Sequence, residues 1–430
     1  MRGRSEIVGA VDFGSREVRV VIARKDTDGT IQVIGHGASP GLGSVSQGVI
    51  QDLSAAQVCL KDALRQAEEE ARIKVMTLFC GINGRNVETF IREGQIELDA
   101  DVVEQRHMDE AIDIASKDIN EAGKRVVSSL AAQEWYIDDL RVADPLGITG
   151  RVLKIRVHFA RIPAVIEDNI ALCVESQRRE LEDIIFMPLA AALGCLTPED
   201  RELGVAVLDM GRMTTGLAVF RDRRILGTHS FEWGGYHLTR DVAAGLHVSF
   251  EEADDLILEY GLTTERIDAE GGADEAGAWP ARRRTESQIK LKTAVHGAAT
   301  VVDRDALDVI VFERAKELMT KVRQHLHSRG FAKHLVRGVV LTGGAASIRN
   351  FVHLAETVFQ TPCRAGTPLG VDIIPPEARG PEYSGAVGLI RHGFEYRAAV
   401  RGGRLRISAP VVVRHARQIG EALRRYFRQA

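Results

Sequence analysis

The sequence has no CxxC pair: its five cysteines, Cys59, Cys80, Cys173, Cys195 and Cys363, lie far apart. That scatter argues against a zinc cluster or a dithiol redox site and for reduced, mostly buried thiols. Excess charge of either sign is also missing. Lys plus Arg number 56 against 60 for Asp plus Glu, a net charge of -4, so no global field draws nucleic acid, which is not an expected partner. Nor is there a long apolar run, since the longest, IIFMPLAAALGCL, contains Pro188 and is too short to span a bilayer. The opening MRGRSEIVGAVDFGS lacks the apolar core of a signal peptide. These absences point to the cytoplasm. His325 and His327 flank Leu326 on an expected helix and read as solvated residues, not metal ligands.

What is present is an ordinary globular composition, 45% apolar and 27% charged over 430 residues, enough for two to four domains. The chain opens with strand-like IVGAVDFGS, VRVVIARKD and IQVIGHGAS, punctuated by a turn at Asp28-Gly29. A helix, LSAAQVCLKDALRQAEEEAR, and a buried strand, VMTLFCGING, follow. Residues 85–165 change character, with extended segments and turns at Pro145 to Gly147 and Thr149-Gly150, and read as an inserted subdomain. At RELGVAVLDMGRMTTGLAVFRDRRILGTHSF the opening layout recurs: a buried strand, an Asp-x-Gly turn, a second strand and a basic turn. That recurrence is an internal duplication of architecture. Residues 266–300 read as an irregular surface loop.

An aspartate at the end of a strand, followed by glycine, can hold hydrated Mg²⁺ while the turn's N–H groups approach phosphate, and a Cβ would block that approach. The sequence has two such turns, Asp12-Phe13-Gly14-Ser15 and Asp209-Met210-Gly211, and a later Thr342-Gly343-Gly344-Ala345 after an apolar strand. Their order suits two facing α/β cores with a nucleotide between them. The candidate cofactor residues are therefore Asp12, Gly14, Ser15, Asp209, Gly211, Thr214, Gly343 and Gly344, with Asp12 and Asp209 as metal ligands. A plainer reading keeps the turns as folded remnants that hold no nucleotide.

The end of the chain is different again. Placed on a helix at about 100° per residue, Val412, Ala416, Ile419, Leu423, Tyr426, Phe427 and Ala430 share one face, and Arg414, Arg417, Glu421, Arg424, Arg425 and Arg428 take the other. Such a helix either docks on its own domain or lies in an anionic membrane interface. The stripe is short, and each arginine near an anionic leaflet is worth on the order of 1 kcal/mol. One copy should bind weakly and reversibly, and firm attachment requires several linked copies. The tail thus points to a protein that assembles.

The three glycine turns resemble the two phosphate motifs and the adenosine motif of the actin-like ATPase superfamily, and IFMPLAAALGCL and PEYSGAVGLI resemble its hinge helices. Within it, QEWYIDDLRVADPLGITGRVLKIRVHF is similar to the subdomain specific to the FtsA family of bacterial cell-division proteins, and EWGGYHLTRDVAAGLHVSFEEADDLILEYG resembles the segment leading through that family's fourth subdomain. The resemblance covers nearly the whole chain. It implies an α/β, actin-like two-domain fold with duplicated ribonuclease-H-like cores, an FtsA-type insert and a C-terminal amphipathic helix. Residues 1–84 and 166–195 would form the first core, 85–165 the insert, 196–224 and 306–395 the second core, and 225–305 the fourth subdomain. A linker, 396–408, and a membrane-targeting helix, 409–430, would complete the chain.

It further implies ATP or ADP with Mg²⁺ as cofactor, self-assembly into filaments, a fourth subdomain receiving the C-terminal peptide of FtsZ, recruitment of later division proteins, and attachment to the cytoplasmic face of the cell membrane at mid-cell. The family's second phosphate motif usually reads Asp-x-Gly-Gly-Gly-Thr-x-Asp, whereas here Arg212 and Met213 replace two glycines and Gly216 the closing acid. A family lysine is replaced by Ile257, after Ala253-Asp254. A side chain at 212 or 213 either crowds the phosphate or, as Arg212, pairs with it. Weak or absent ATPase activity is therefore expected, with no catalytic residue assigned. Two other readings stay open, a pilus-assembly adaptor docking on a membrane-protein tail, and a small-molecule kinase of the same fold.

Overall fold

The computed structural model describes residues 5–401 apart from 42, 100, 118, 120, 121, 265, 268–287 and 292–300. The amphipathic helix expected at 409–430, linker residues 402–408 and most of the loop expected at 266–300 lie outside the described residues.

β-branched runs build the opening meander, β1 (Glu6–Phe13), β2 (Glu17–Lys25) and β3 (Ile31–Pro40), with a small ribbon of β4 (Val45–Ser46) and β5 (Val49–Ile50) after it. Helix α1 (Leu53–Ala71) starts where Asp52 accepts a hydrogen bond from the Ala55 N–H at 3.0 Å, and it buries Ala56, Leu60, Ala63, Leu64 and Ala67 along one stripe. Strand β6 (Thr77–Ile82) then pairs parallel to β1.

The insert comprises β7 (Glu88–Glu97), α2 (Gln105–Ala115), β8 (Lys124–Ile137), β9 (Leu140–Val142) and β10 (Val152–Pro163), in a sheet of order β7-β10-β8-β9. It has its own core, in which Met108 and Ala111 of α2 pack against Trp135, Leu153 and Ile155. Helix α3 (Ala164–Ser176) and strand β11 (Glu180–Phe186) complete the first sheet, order β11-β6-β1-β2-β3, and α4 (Met187–Cys195) leaves it.

After a short helix, α5 (Pro198–Leu203), the same topology repeats. Strands β12 (Val205–Met210), β13 (Thr215–Arg221) and β14 (Arg224–Phe231) form an antiparallel meander. Helices α6 (Gly235–Leu246) and α7 (Phe250–Tyr260), a ribbon of β15 (Gln288–Lys290) and β16 (Val301–Asp303), and α8 (Arg304–Ser328) follow. Strand β17 (Val339–Thr342) runs parallel to β12, then come α9 (Phe351–Phe359) and β18 (Cys363–Ala365), giving the order β14-β13-β12-β17-β18. Strand for strand this is the order of the first sheet.

Helix α10 (Ser384–Arg401) returns to the first core and crosses α4, all nine of whose residues are buried. The crossing is close enough that a Cβ on Gly194 would lie 1.8 Å from the Ser384 carbonyl and one on Gly388 1.7 Å from that of Ala190. Glycine is required there because backbone meets backbone. The insert also reaches the second core: His158 Nε2 lies 2.9 Å from Thr228 Oγ1 on β14, and Arg224 lies 3.7 Å from the buried Glu134. Burial pushes the His158 pKa down to about 4, so it is neutral at pH 7.

Three sequence expectations need correction. Residues 396–401, assigned to the linker, continue α10, because Arg397 ties it to Glu182 at 2.5 Å and to the Ile7 carbonyl at 2.6 Å, and Arg401 pairs with Glu6 at 2.7 Å. The fourth-subdomain boundary at 225 falls inside β14, which hydrogen-bonds to β13 as the edge of the second sheet. His325 is not solvated; it is half-buried, stacks on His229 with ring centroids 4.2 Å apart, and has its pKa pushed down to about 4 by burial and by His229.

Candidate functional site

Strands β1 and β12 occupy corresponding places in the two sheets, and each carries an aspartate near its C-terminal end. Asp12 stands opposite Arg19 of β2 and Gly81 of β6, and Asp209 opposite Gly216 of β13 and Thr342 of β17. The two strand ends open on one cleft. All eight residues proposed from the sequence, Asp12, Gly14, Ser15, Asp209, Gly211, Thr214, Gly343 and Gly344, line a single cavity of about 140 Å³ in that cleft. Small-molecule sites typically measure roughly 300–1,000 Å³, so a nucleotide-sized ligand requires the cores to part or side chains to yield.

The turns are shaped by close approach. Gly343 has φ +81°, and a Cβ there would lie 2.7 Å from Asp209 Oδ1 and from the Met210 carbonyl, whereas Gly344 faces open space. Thr342 Oγ1 donates to the Pro381 carbonyl at 2.7 Å, and Gly343 N–H to the same oxygen at 3.2 Å, which fixes this turn against the start of α10.

Desolvation in the cleft raises the pKa of Asp209 to about 7, with the neighbouring Asp12 carboxylate adding to the effect and Arg19 opposing it. Burial raises Asp12 as well, again against Arg19. Two acids so placed either share a proton or take a cation. Among the described residues no group of three or more His, Cys, Asp or Glu side chains gathers as a metal cage. A pair of carboxylates suits Mg²⁺ that keeps waters and borrows phosphate oxygens for the rest of its shell.

Arg19, Asn83 and Thr239 also line the cavity and were not singled out from sequence. The hairpin register, which sets Arg19 opposite Asp12, is the signal that could have found the first. Arg212 reaches Asp254 of α7 with Nη1 at 2.5 Å, and Ile257, one turn further on, presents only an apolar side chain to the cavity.

With that geometry in place, the family comparisons discriminate. The family model described as "Cell division protein FtsA" matches residues 206–388, and that described as "SHS2 domain inserted in FTSA" matches residues 84–160, together more than half of the chain. The chain belongs to the FtsA family. It is similar to cell division protein FtsA of Pseudomonas aeruginosa, 29% identical over 90% of this chain and 89% of that one. The FtsA of Escherichia coli K12 is 27% identical over 91% of each chain. FtsA membership places this chain among cell-division proteins. Among solved structures it resembles the PilM-PilN type IV pilus biogenesis complex, with TM-score 0.60 and 14% identity over 90% of this chain and 98% of that one. It also resembles MreB 5 of Spiroplasma citri bound to AMPPNP, with TM-score 0.54 and 13% identity over 93% of this chain and 100% of that one. At such identities the likeness concerns the fold, which is actin-like. The FtsA-specific SHS2 match falls on β7 to β10, the strands that leave the first core as the insert.

Proposed function

We propose that this FtsA-family protein binds an adenine nucleotide with Mg²⁺ in the interdomain cleft, assembles into filaments, and holds FtsZ filaments to the cytoplasmic face of the cell membrane at mid-cell. The observation that carries the nucleotide reading is the convergence of the three glycine turns and two partly buried aspartates on one cavity. Asp12 and Asp209 would hold Mg²⁺, which would neutralise the phosphates. Gly14, Ser15, Gly211 and Thr214 would face the phosphates, and Gly343 and Gly344 the nucleoside. The degenerate second turn and Ile257 favour binding with little turnover.

The tail supports the membrane reading. Its apolar face, Val412, Ile419, Leu423, Tyr426 and Phe427, would enter the lipid, and Arg414, Arg417, Arg424, Arg425 and Arg428 would meet anionic headgroups. No helix among the described residues is long and apolar enough to cross a membrane. In this reading the segment after β14 receives the FtsZ C-terminal peptide, and the insert contacts later division proteins.

Flotation with anionic and neutral liposomes tests the anchor, using the full chain and a version ending at Ser408. Only the full chain is expected to float, more with anionic lipid and less in high salt. If both versions remain at the bottom, the tail docks on the body and the pilus-type adaptor reading takes over.

A further inference from the structure

We infer that Arg212 is the phosphate-binding cation of the cleft, aimed at the phosphate tail of a bound nucleotide by Asp254 and Tyr236. This rests on the nucleotide reading of the same cavity and adds a residue to it.

The charges lining the cavity leave phosphate few partners. Asp12, Glu17, Asp209, Asp254 and Glu382 face it against three cations, Arg16, Arg19 and Arg212. Arg19 is committed, 2.8 Å from Glu17 and over the ring of Tyr383 at 5.5 Å. Arg16 is 47% exposed and only 4.0 Å from the same Glu17. Some of the backbone donors at the second turn are spent as well. Gly211 N–H donates to the Thr214 carbonyl at 2.9 Å, so this turn's first amide closes the turn and does not face a ligand. The first amides of α6, Gly235 and Tyr236, donate to the Gly211 and Arg212 carbonyls at 3.0 and 2.7 Å.

Arg212 differs from these groups. Among the described residues its guanidinium uses one donor, Nη1 to Asp254, out of the five an arginine carries. Its remaining edge is left for another acceptor. It is also held in place before any ligand arrives. Its carbonyl is bonded to α6, its charged plane lies 5.6 Å over the Tyr236 ring, and that ring stacks on Phe250 at 5.7 Å. Asp254 is fixed in turn by the Thr239 hydroxyl. Holding the fork in advance lowers the entropy lost when it meets a second acceptor. Arg212 therefore binds phosphate, and Asp254 is its positioning residue.

The test is isothermal calorimetry with adenosine, ADP and ATP, in Mg²⁺, on the wild-type chain, Arg212→Ala, Arg212→Lys and Asp12→Ala. Arg212→Ala is expected to weaken ADP and ATP roughly tenfold to a hundredfold, the size of a lost charge-assisted contact, and to leave adenosine unchanged. Arg212→Lys keeps the charge without the fork and should fall between. Equal weakening of adenosine would assign Arg212 to the shape of the second core and overturn the inference, as would tighter binding of ADP or ATP by Arg212→Ala, which would make it an obstruction. If wild type binds, Asp12→Ala does not, and the Arg212 variants match wild type, the cleft reading survives and this inference alone fails. A folded wild-type chain that binds none of the three ligands overturns both.

Discussion

The turns after β1 and β12 sit at equivalent positions of matching sheets, yet they carry their charges differently. In the first, the cation opposite Asp12 is Arg19, supplied by the paired strand. In the second, Gly216 stands opposite Asp209, and the nearby cation, Arg212, comes from the turn itself and is anchored on α7. A duplicated scaffold fixes where a carboxylate goes, and the neighbouring side chains decide what its surroundings can bind.

The strongest way to break the comparison is to remove one aspartate at a time. Asp12→Ala and Asp209→Ala should each weaken Mg²⁺–nucleotide binding by at least about a hundredfold if both carboxylates serve one cation, since a divalent ion is a large local charge. Calorimetry that shows loss in only one variant would split the pair into a working and a vestigial half. Next in size is a methyl group on each turn. A Cβ on Gly14 would lie 2.7 Å from the Glu17 carbonyl, and one on Gly211 3.3 Å from that of Thr214. Gly14→Ala should therefore cost about 1–3 kcal/mol in denaturant melts and Gly211→Ala clearly less. Equal costs would mean that the first turn opens more easily than its geometry suggests.

Titration sharpens the contrast further. In the nucleotide-free protein the raised pKa of Asp209 means that folding retains a proton which the unfolded chain releases near the ordinary value of 3.8. Its contribution is intact below about pH 4 and is lost as pH rises through about 7. Asp209→Asn should accordingly melt at a higher temperature than wild type at pH 8, with the gap closing towards pH 4. Asp12→Asn should act in the same direction, but the two gains should not add, because the Asp12 charge is part of what raises Asp209. A pH-independent gap would remove the coupled pair from the argument. The smallest effect expected is Gly344→Ala, whose Cβ meets nothing within 4 Å. Its melting point should match wild type, whereas Gly343→Ala, at φ +81° and against Asp209, should not.

Much of this was legible beforehand. The repeat of IVGAVDFGS in VAVLDMGRM predicted the duplicated sheets, and the character of residues 85–165 predicted a separate insert, because strand alternation and glycine turns are local properties of a chain. The eight glycine-turn residues could be named for the same reason. The sequence could not show how distant elements meet. The span from Arg212 to Asp254 covers 42 positions, and it is the fold of α6 and α7 against the second turn that joins them. The end of α10 is hidden in the sequence for a similar reason: YRAAVR looks like linker until Arg397 finds Glu182, 215 positions away. His325 likewise looks solvated until His229 stacks on it. By itself the sequence determined the strands, turns and repeat, since these follow from backbone preference and short-range pattern. Tertiary structure alone decided which charges became partners, because a Coulomb interaction depends on separation in space and on the water excluded between the groups.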